Sequence, residues 1–156
     1  MICAGGGQLG KIPNTGGLIS CIPVDTDSAY VVDIVLQDYN INNNVHHLLN
    51  PNVISWNEFL VNLKQAGLQF EIVPIKEFFD NILTGKHNPL LKLASFFEKY
   101  YLNGQSNKLA QYETQKIVEK TNNFKLCPAI DQHLIELYLN YWYKSKFLKY
   151  GYKSKE

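Results

Sequence analysis

Three glycines near the start of the chain, in "MICAGGGQLGKIPN", stand at the spacing of a dinucleotide-binding fingerprint: Gly5, Gly7 and Gly10 spell G-x-G-x-x-G. That spelling does chemistry only in a fixed setting. A buried strand must lead into the first glycine, and a helix must begin at the loop so that its free N–H groups and positive end face the pyrophosphate. An acidic residue follows about 20 residues on to hold the ribose. Here only "MICA" precedes Gly5, too short for a central strand, and "KIPNTGG" follows Gly10, with Pro13 where the helix should run. Proline inside a helix removes a bond and clashes, costing about 3 kcal/mol. Asp25 and Asp27 lie at a plausible distance but at the start of an expected helix. The glycines therefore read as a tight-turning loop, and a nucleotide-binding enzyme using Gly5 to Gly10 is the weakest functional reading.

A second spelling is Tyr112-Glu-Thr-Gln-Lys116, or Y-x-x-x-K. On a helix it sets a lysine one turn from a tyrosine, where it lowers the phenol pKa. The chain has 10 tyrosines, so chance supplies this pattern easily, and no catalytic residue is assigned to it. His46 and His47 are adjacent and would point to opposite faces of a strand. His87 and His133 are isolated, and Cys3, Cys21 and Cys127 are scattered. No zinc-ligand spacing appears, so no metal site is expected. Phe78, Phe79, Phe96, Phe97, Tyr100 and Tyr101 recur at helical spacing. Core packing is their default role; lining a binding pocket is the sharper one.

Elements must position these residues. The chain has 156 residues, of which 46% are hydrophobic and 19% charged, a composition that supports one globular domain. With 15 basic and 14 acidic residues the formal net charge is +1, which argues against a nucleic-acid surface. No apolar run approaches the roughly 18 residues of a membrane span, and no signal peptide is read. Three scattered cysteines fit a reducing, cytoplasmic compartment. "GLISCIPV" reads as a strand, and "DTDSAYVVDIVLQ" as a helix with Ala29, Val32 and Leu36 on one apolar face and Val31 and Val35 beside them. "VHHLLN" reads as a strand closed by the turn Asn50-Pro51-Asn52. In "SWNEFLVNLKQAG", Ser55 and Glu58 form a capping box and Gly67 is a stop. "LQFEIVPI" alternates like a strand, and helices follow at "KEFFDNILTG", at "NPLLKLASFFEKYYLNG" and from Asp131 to Tyr143. In the last of these, Leu134, Leu137, Tyr138 and Tyr141 form the expected core face. Residues 146–156 are expected to fray.

Several of these strings resemble one family. "GQLGKIPN…IPVD…VVDIVL", then "HHLLNPNVISWNEFLVNLKQAGLQFEIVPIKEFFDNIL", then "NPLLKLASFFEKYY" are similar to the C-terminal half of a thioester reductase domain. These extended short-chain dehydrogenases end polyketide synthases, nonribosomal peptide synthetases and aminoadipate reductases; fatty acyl-CoA reductases are cousins. The resemblance covers residues 1–145. It implies an α/β fold: a partial Rossmann-like structure, mostly the C-terminal substrate-binding lobe, with mixed short strands and packed helices. The parent domain binds NADP(H) in an upstream Rossmann half and reduces a carrier-bound thioester. That half and its catalytic tyrosine and lysine lie upstream of the matching segment, so no catalytic or cofactor-binding residue is assigned here, and no reduction by the isolated chain is expected. Substrate binding is assigned to Asp25, Phe78 and Phe79. The expected partners are an acyl-carrier protein or an upstream Rossmann half, with no nucleic acid and no membrane. A non-catalytic carrier-binding or complementing module is the alternative. The strand "VHHLLN" would join the Rossmann sheet; left bare, its edge invites self-association.

Overall fold

A computed structural model describes residues 1–37, 45–85, 87–102 and 127–154. Tyr112 and Lys116 lie outside the described residues, as does the asparagine-rich stretch NINNN at 40–44. Helices and short strands mix in an α/β arrangement, and the chain divides into two compact units. The first comprises Met1–Gly17, Ser55–Lys108 and Asp131–Glu156, and the second Leu18–Ile54 and Leu109–Ile130.

The glycine string, expected as a loop, is a helix: α1 spans Ile2–Leu9. Three glycines, each about 1 kcal/mol worse than alanine in a helix, would not form one by propensity; tertiary packing makes it. A Cβ on Gly5 would lie 2.3 Å from Cγ of Leu90, and one on Gly6 2.6 Å from Cγ1 of Ile12. Gly10, with φ 65°, caps the helix C-terminus in the left-handed region and returns its N–H to the carbonyl of Gly6. The chain then enters β1 (Lys11–Pro13), which pairs in parallel with β4 (Glu71–Val73), Ile12 opposite Ile72. Pro13 ends β1, where its missing N–H is not needed.

Between these strands runs α3 (Trp56–Gln65), which begins and ends as the sequence indicates. Ser55 Oγ accepts the N–H of Glu58 at 3.1 Å. At the other end Gly67, φ 104°, and Leu68 return their N–H groups to the carbonyls of Lys64 and Leu63. Leu60 and Leu63 are buried, while Trp56 and Phe59 are half-buried. After β4, α4 (Ile75–Thr84) turns Phe78 and Ile82 into a core with Val73, Leu90 and Phe97. Asn88 Oδ1 accepts the N–H of Leu90, starting a 3₁₀ turn at Pro89–Leu93; α5 (Ala94–Phe97) and a π-turn at Glu98–Leu102 follow. The buried Asn88 Nδ2 also donates to the carbonyl of Gly5, tying this turn to α1.

The helix expected from Asp131 is α6 (Gln132–Lys144), capped by Asp131 Oδ1 on the N–H of Leu134. Its buried residues are Ile135 and Leu139, whereas Leu137 and Tyr141 of the expected face are 59% and 68% exposed. The helix is apolar or aromatic on most sides, so two stripes fit the periodicity, and tyrosine tolerates water. Beyond α6, residues 146–154 do not fray as expected. Leu148 is buried, Tyr152 bridges Leu68, and the Tyr152 hydroxyl donates to Asn140 at 2.6 Å.

In the second unit, the expected strand from Gly17 to Val24 shrinks to β2 (Leu18–Ile19), which pairs with β3 (Ile54–Ser55). The helix α2 (Val24–Gln37) presents Tyr30 and Ile34 to a small core with Cys127, Ile22 and Leu48. The apolar face expected from the sequence is outside: Val32 is 53% and Leu36 67% exposed. Residues 45–50, expected as a strand, form no ladder among the described residues. Asn50 anchors their C-terminal end. Buried, it donates through Nδ2 to the carbonyls of Cys21 and Pro128 and accepts the N–H of Asn52.

Candidate functional site

The three residues expected to bind substrate fall in different surroundings. Asp25 belongs to the second unit, where it is exposed in the first turn of α2 and its Oδ1 accepts the N–H of Thr26 at 2.9 Å. A carboxylate there favours the positive end of the helix. Phe78 belongs to the first unit and has no exposed surface. Its ring meets Phe97 edge to face at 5.8 Å, so it packs in the core of this unit. Helical spacing alone does not separate a buried aromatic from a pocket lining. Phe79 is half-buried against the same core.

The aromatic run continues outward from that core. Phe96 is 41% exposed and packs on Tyr100 at 4.8 Å between ring centroids. The Lys99 ammonium lies 5.3 Å from the Tyr100 ring. Residues four apart share a helix face, and a π-turn at Glu98–Leu102, a feature frequent at functional positions, follows directly.

A cleft of about 500 Å³ opens elsewhere in the first unit. One wall is α1, through Ala4 and Gln8; a second is the turn after α4, through His87 and Pro89. The third is the tail, which contributes Lys146, Phe147, Lys149 and Tyr150. The glycines of α1 build this wall. A Cβ on Gly7 would lie 2.6 Å from the carbonyl oxygen of Tyr150, and one on Gly151 2.8 Å from Cα of Gly7. Only two hydrogen-sized side chains let the tail lie flat on the helix.

Two lining residues are held in the left-handed region, His87 at φ 69° and Lys146 at φ 60°. They are the only residues other than glycine with positive φ among the described residues. Such a conformation costs about 1–2 kcal/mol per residue, and such strain clusters at ligand clamps. Sequence reasoning missed this site because its walls come from residues 4–8, 87–89 and 146–150; the tail's alternation of lysine and aromatic residues was its only signal.

Two further electrostatic features belong to the two units. In the first, Lys11 Nζ lies 2.8 Å from Glu77 Oε1, and that hydrogen bond raises the lysine pKa. In the second, burial first, and then the hydrogen bond with Cys127, push the Tyr30 phenol well above its ordinary value. Among the described residues, no three His, Cys, Asp or Glu side chains gather as metal ligands would. No described helix is long and apolar enough to cross a membrane.

The backbone path of both units is that of a known domain. Over 96% of its length the chain superposes on the terminal R domain from the myxalamid PKS-NRPS biosynthetic pathway, with a TM-score of 0.78 at 23% identity. The fold is that of part of an R domain. The chain spans 38% of that R-domain chain. Its curated relatives are assembly-line proteins. A linear gramicidin synthase of Brevibacillus parabrevis is 24% identical over 154 residues, 95% of this chain and 3% of that protein. A non-ribosomal peptide synthetase of Acremonium egyptiacum is 27% identical over 147 residues, 90% of this chain and 13% of that one. The clavatol synthase of Penicillium crustosum is 28% identical over 144 residues, 88% and 6% of the two chains. No protein-family model matches the chain.

Proposed function

We propose that this chain is the substrate-binding part of an R-type thioester reductase of a polyketide or peptide assembly line, and that it does not reduce thioesters by itself. The observation that supports this reading is the close superposition over 96% of the chain on only 38% of an R domain. The R-type reaction needs a nicotinamide cofactor, and the glycine string here does not fit one. Its residues are helical, the Gly5 N–H is spent on the carbonyl of Met1 at 2.9 Å, and the faces of Gly5 and Gly7 are filled by Leu90 and Tyr150. NADP(H) would be held by a separate Rossmann half, whose sheet would offer a ladder to residues 45–50, which form none among the described residues.

What this chain contributes is placement of an acyl group on a carrier arm, which lowers the entropic barrier to reaction. The test is co-expression with the Rossmann half of an R domain. The pair is expected to co-purify and to oxidise NADPH with an acyl-carrier thioester, and the chain alone to give no turnover. Turnover by the chain alone, or a pair that neither associates nor reacts, would reject the proposal. Association without reaction would favour a non-catalytic carrier-binding module, supported by the cationic cleft of the first unit.

A further inference from the structure

The cleft between α1, the turn after α4 and the tail has a chemistry of its own. Lys146 and Lys149 bring two cationic side chains to it and His87 brings an imidazole, while no carboxylate is among the described residues that line it. Such a set attracts an anion with several oxygens. The rest of the lining is apolar or aromatic, with Phe147 and Tyr150 50% and 57% exposed beside the lysines. A small inorganic ion would leave these rings in water; an anion carrying an organic arm would cover them.

The backbone is set before any ligand arrives. The Lys146 N–H returns to the carbonyl of Tyr143 and the Leu148 N–H to that of Trp142. Leu148 is buried, and the Gly151 carbonyl accepts the N–H of Gln69 at 2.6 Å. Glycine is the usual residue in the left-handed cap that closes a helix. A lysine there, and a histidine in the same conformation across the cleft, retain strain that glycine would relieve. That is the mark of side chains kept for what they touch.

We propose that this cleft binds a phosphate ester, its phosphate between Lys146, Lys149 and His87 and its organic arm over Phe147 and Tyr150. The choice of probe, though not the site, rests on the reading of the chain as a carrier-substrate lobe. Both sources of that chemistry, free coenzyme A and the arm of a carrier protein, share a phosphorylated pantetheine.

The experiment titrates the isotopically labelled full chain with 4′-phosphopantetheine, pantetheine, coenzyme A, inorganic phosphate and a phosphopantetheinylated carrier protein, and follows amide shifts. Phosphopantetheine is expected to move the amides of Lys146, Phe147, Lys149 and Tyr150, with pantetheine and inorganic phosphate each roughly tenfold weaker, the effect of losing a charge-assisted contact. Coenzyme A binding as tightly as phosphopantetheine identifies the free coenzyme as sufficient; a carrier-borne arm binding more tightly identifies the carrier. Lys146→Gly removes the charge and relieves the strain, so it should raise the melting midpoint and still weaken binding about tenfold. Lys149→Gln should weaken it similarly with the midpoint unchanged. Pantetheine binding as well as its phosphate ester, shifts confined to other residues, or unchanged affinity in both folded variants would overturn the proposal. The chain alone suffices, so failure of the complementation experiment leaves this result standing, and the reverse also holds.

Discussion

At the scale of single residues, Gly7 shows how a side chain's absence is a contact. A methyl group on Gly7 would meet the backbone oxygen of Tyr150 at 2.6 Å, and no side-chain rotation relieves a clash with backbone. On Gly10 it would meet nothing within 4 Å, but there φ is 65°. Gly7→Ala gains up to about 1 kcal/mol in helix propensity and forfeits more by lifting the tail from α1, since overpacking costs roughly 1–3 kcal/mol. It should lower the urea midpoint of the first unit and expose Leu148, seen as faster amide exchange at residues 146–152. Gly10→Asn, which tolerates the left-handed region, should leave the midpoint nearly unchanged. An unchanged midpoint for Gly7→Ala would mean that the tail does not need to lie on α1. The sequence showed these glycines as a recognisable spelling but not their use. That depends on Leu90, Ile12 and Tyr150, and no local pattern links them.

At the scale of elements, ends were more legible than faces. Ser55, Glu58 and Gly67 place α3 because capping is a contact within one turn of chain. Asp131 places the start of α6 for the same reason. The faces of α2 and α6 were misread because apolar residues surround both helices, and the choice between stripes is made by distant residues. Tyr30 is drawn inside by Cys127, Ile22 and Leu48, leaving the valines outside. Replacing Val32 with Glu and Val35 with Lys should therefore change the stability of the isolated chain by no more than about 0.5 kcal/mol, as surface substitutions do. A loss of several kcal/mol in denaturant titration would show that this face is covered after all. The strand expected at 45–50 failed for a related reason. Its residue types favour extension, but a strand exists only with a partner, and among the described residues none pairs with it; the side chain of Asn50 ties only the end of the segment, to Cys21 and Pro128.

At the scale of the whole molecule, the resemblance of long strings to a thioester reductase was enough to anticipate the α/β architecture, because many weak local agreements add. The cleft was not anticipated, because it is assembled from three distant segments. Two units also mean two sources of pH dependence. The Tyr30 phenol of the second unit has its pKa raised from 10.0, chiefly by burial. The folded state therefore keeps its proton after the unfolded chain has lost it. The stabilisation is complete below pH 10 and falls as pH rises further, by up to about 1.4 kcal/mol per pH unit. Tyr152 of the first unit is raised in the same direction by burial, then by Glu136. Thermal melts from pH 8 to pH 11 should show a declining midpoint, and Tyr30→Phe should flatten the decline while lowering the midpoint below pH 10 through loss of the bond to Cys127. A decline of equal slope in Tyr30→Phe would assign the effect elsewhere.

The placement of the cysteines has a consequence for how this chain can be watched. Cys3 lies inside the first unit, 6% exposed, and Cys127 inside the second, 4% exposed, while Cys21 is at the surface. A thiol reagent reaches a buried sulfur only when its surroundings open, and the rate then measures the free energy of that local opening. Labelling Cys21 calibrates the reagent on an exposed thiol, with allowance for the burial that raises its pKa and slows it. Cys3 and Cys127 then act as separate clocks, one in each unit. The natural sequence thus carries its own probes for deciding whether the two units breathe together or apart, and whether a bound partner or phosphate ester closes one without the other.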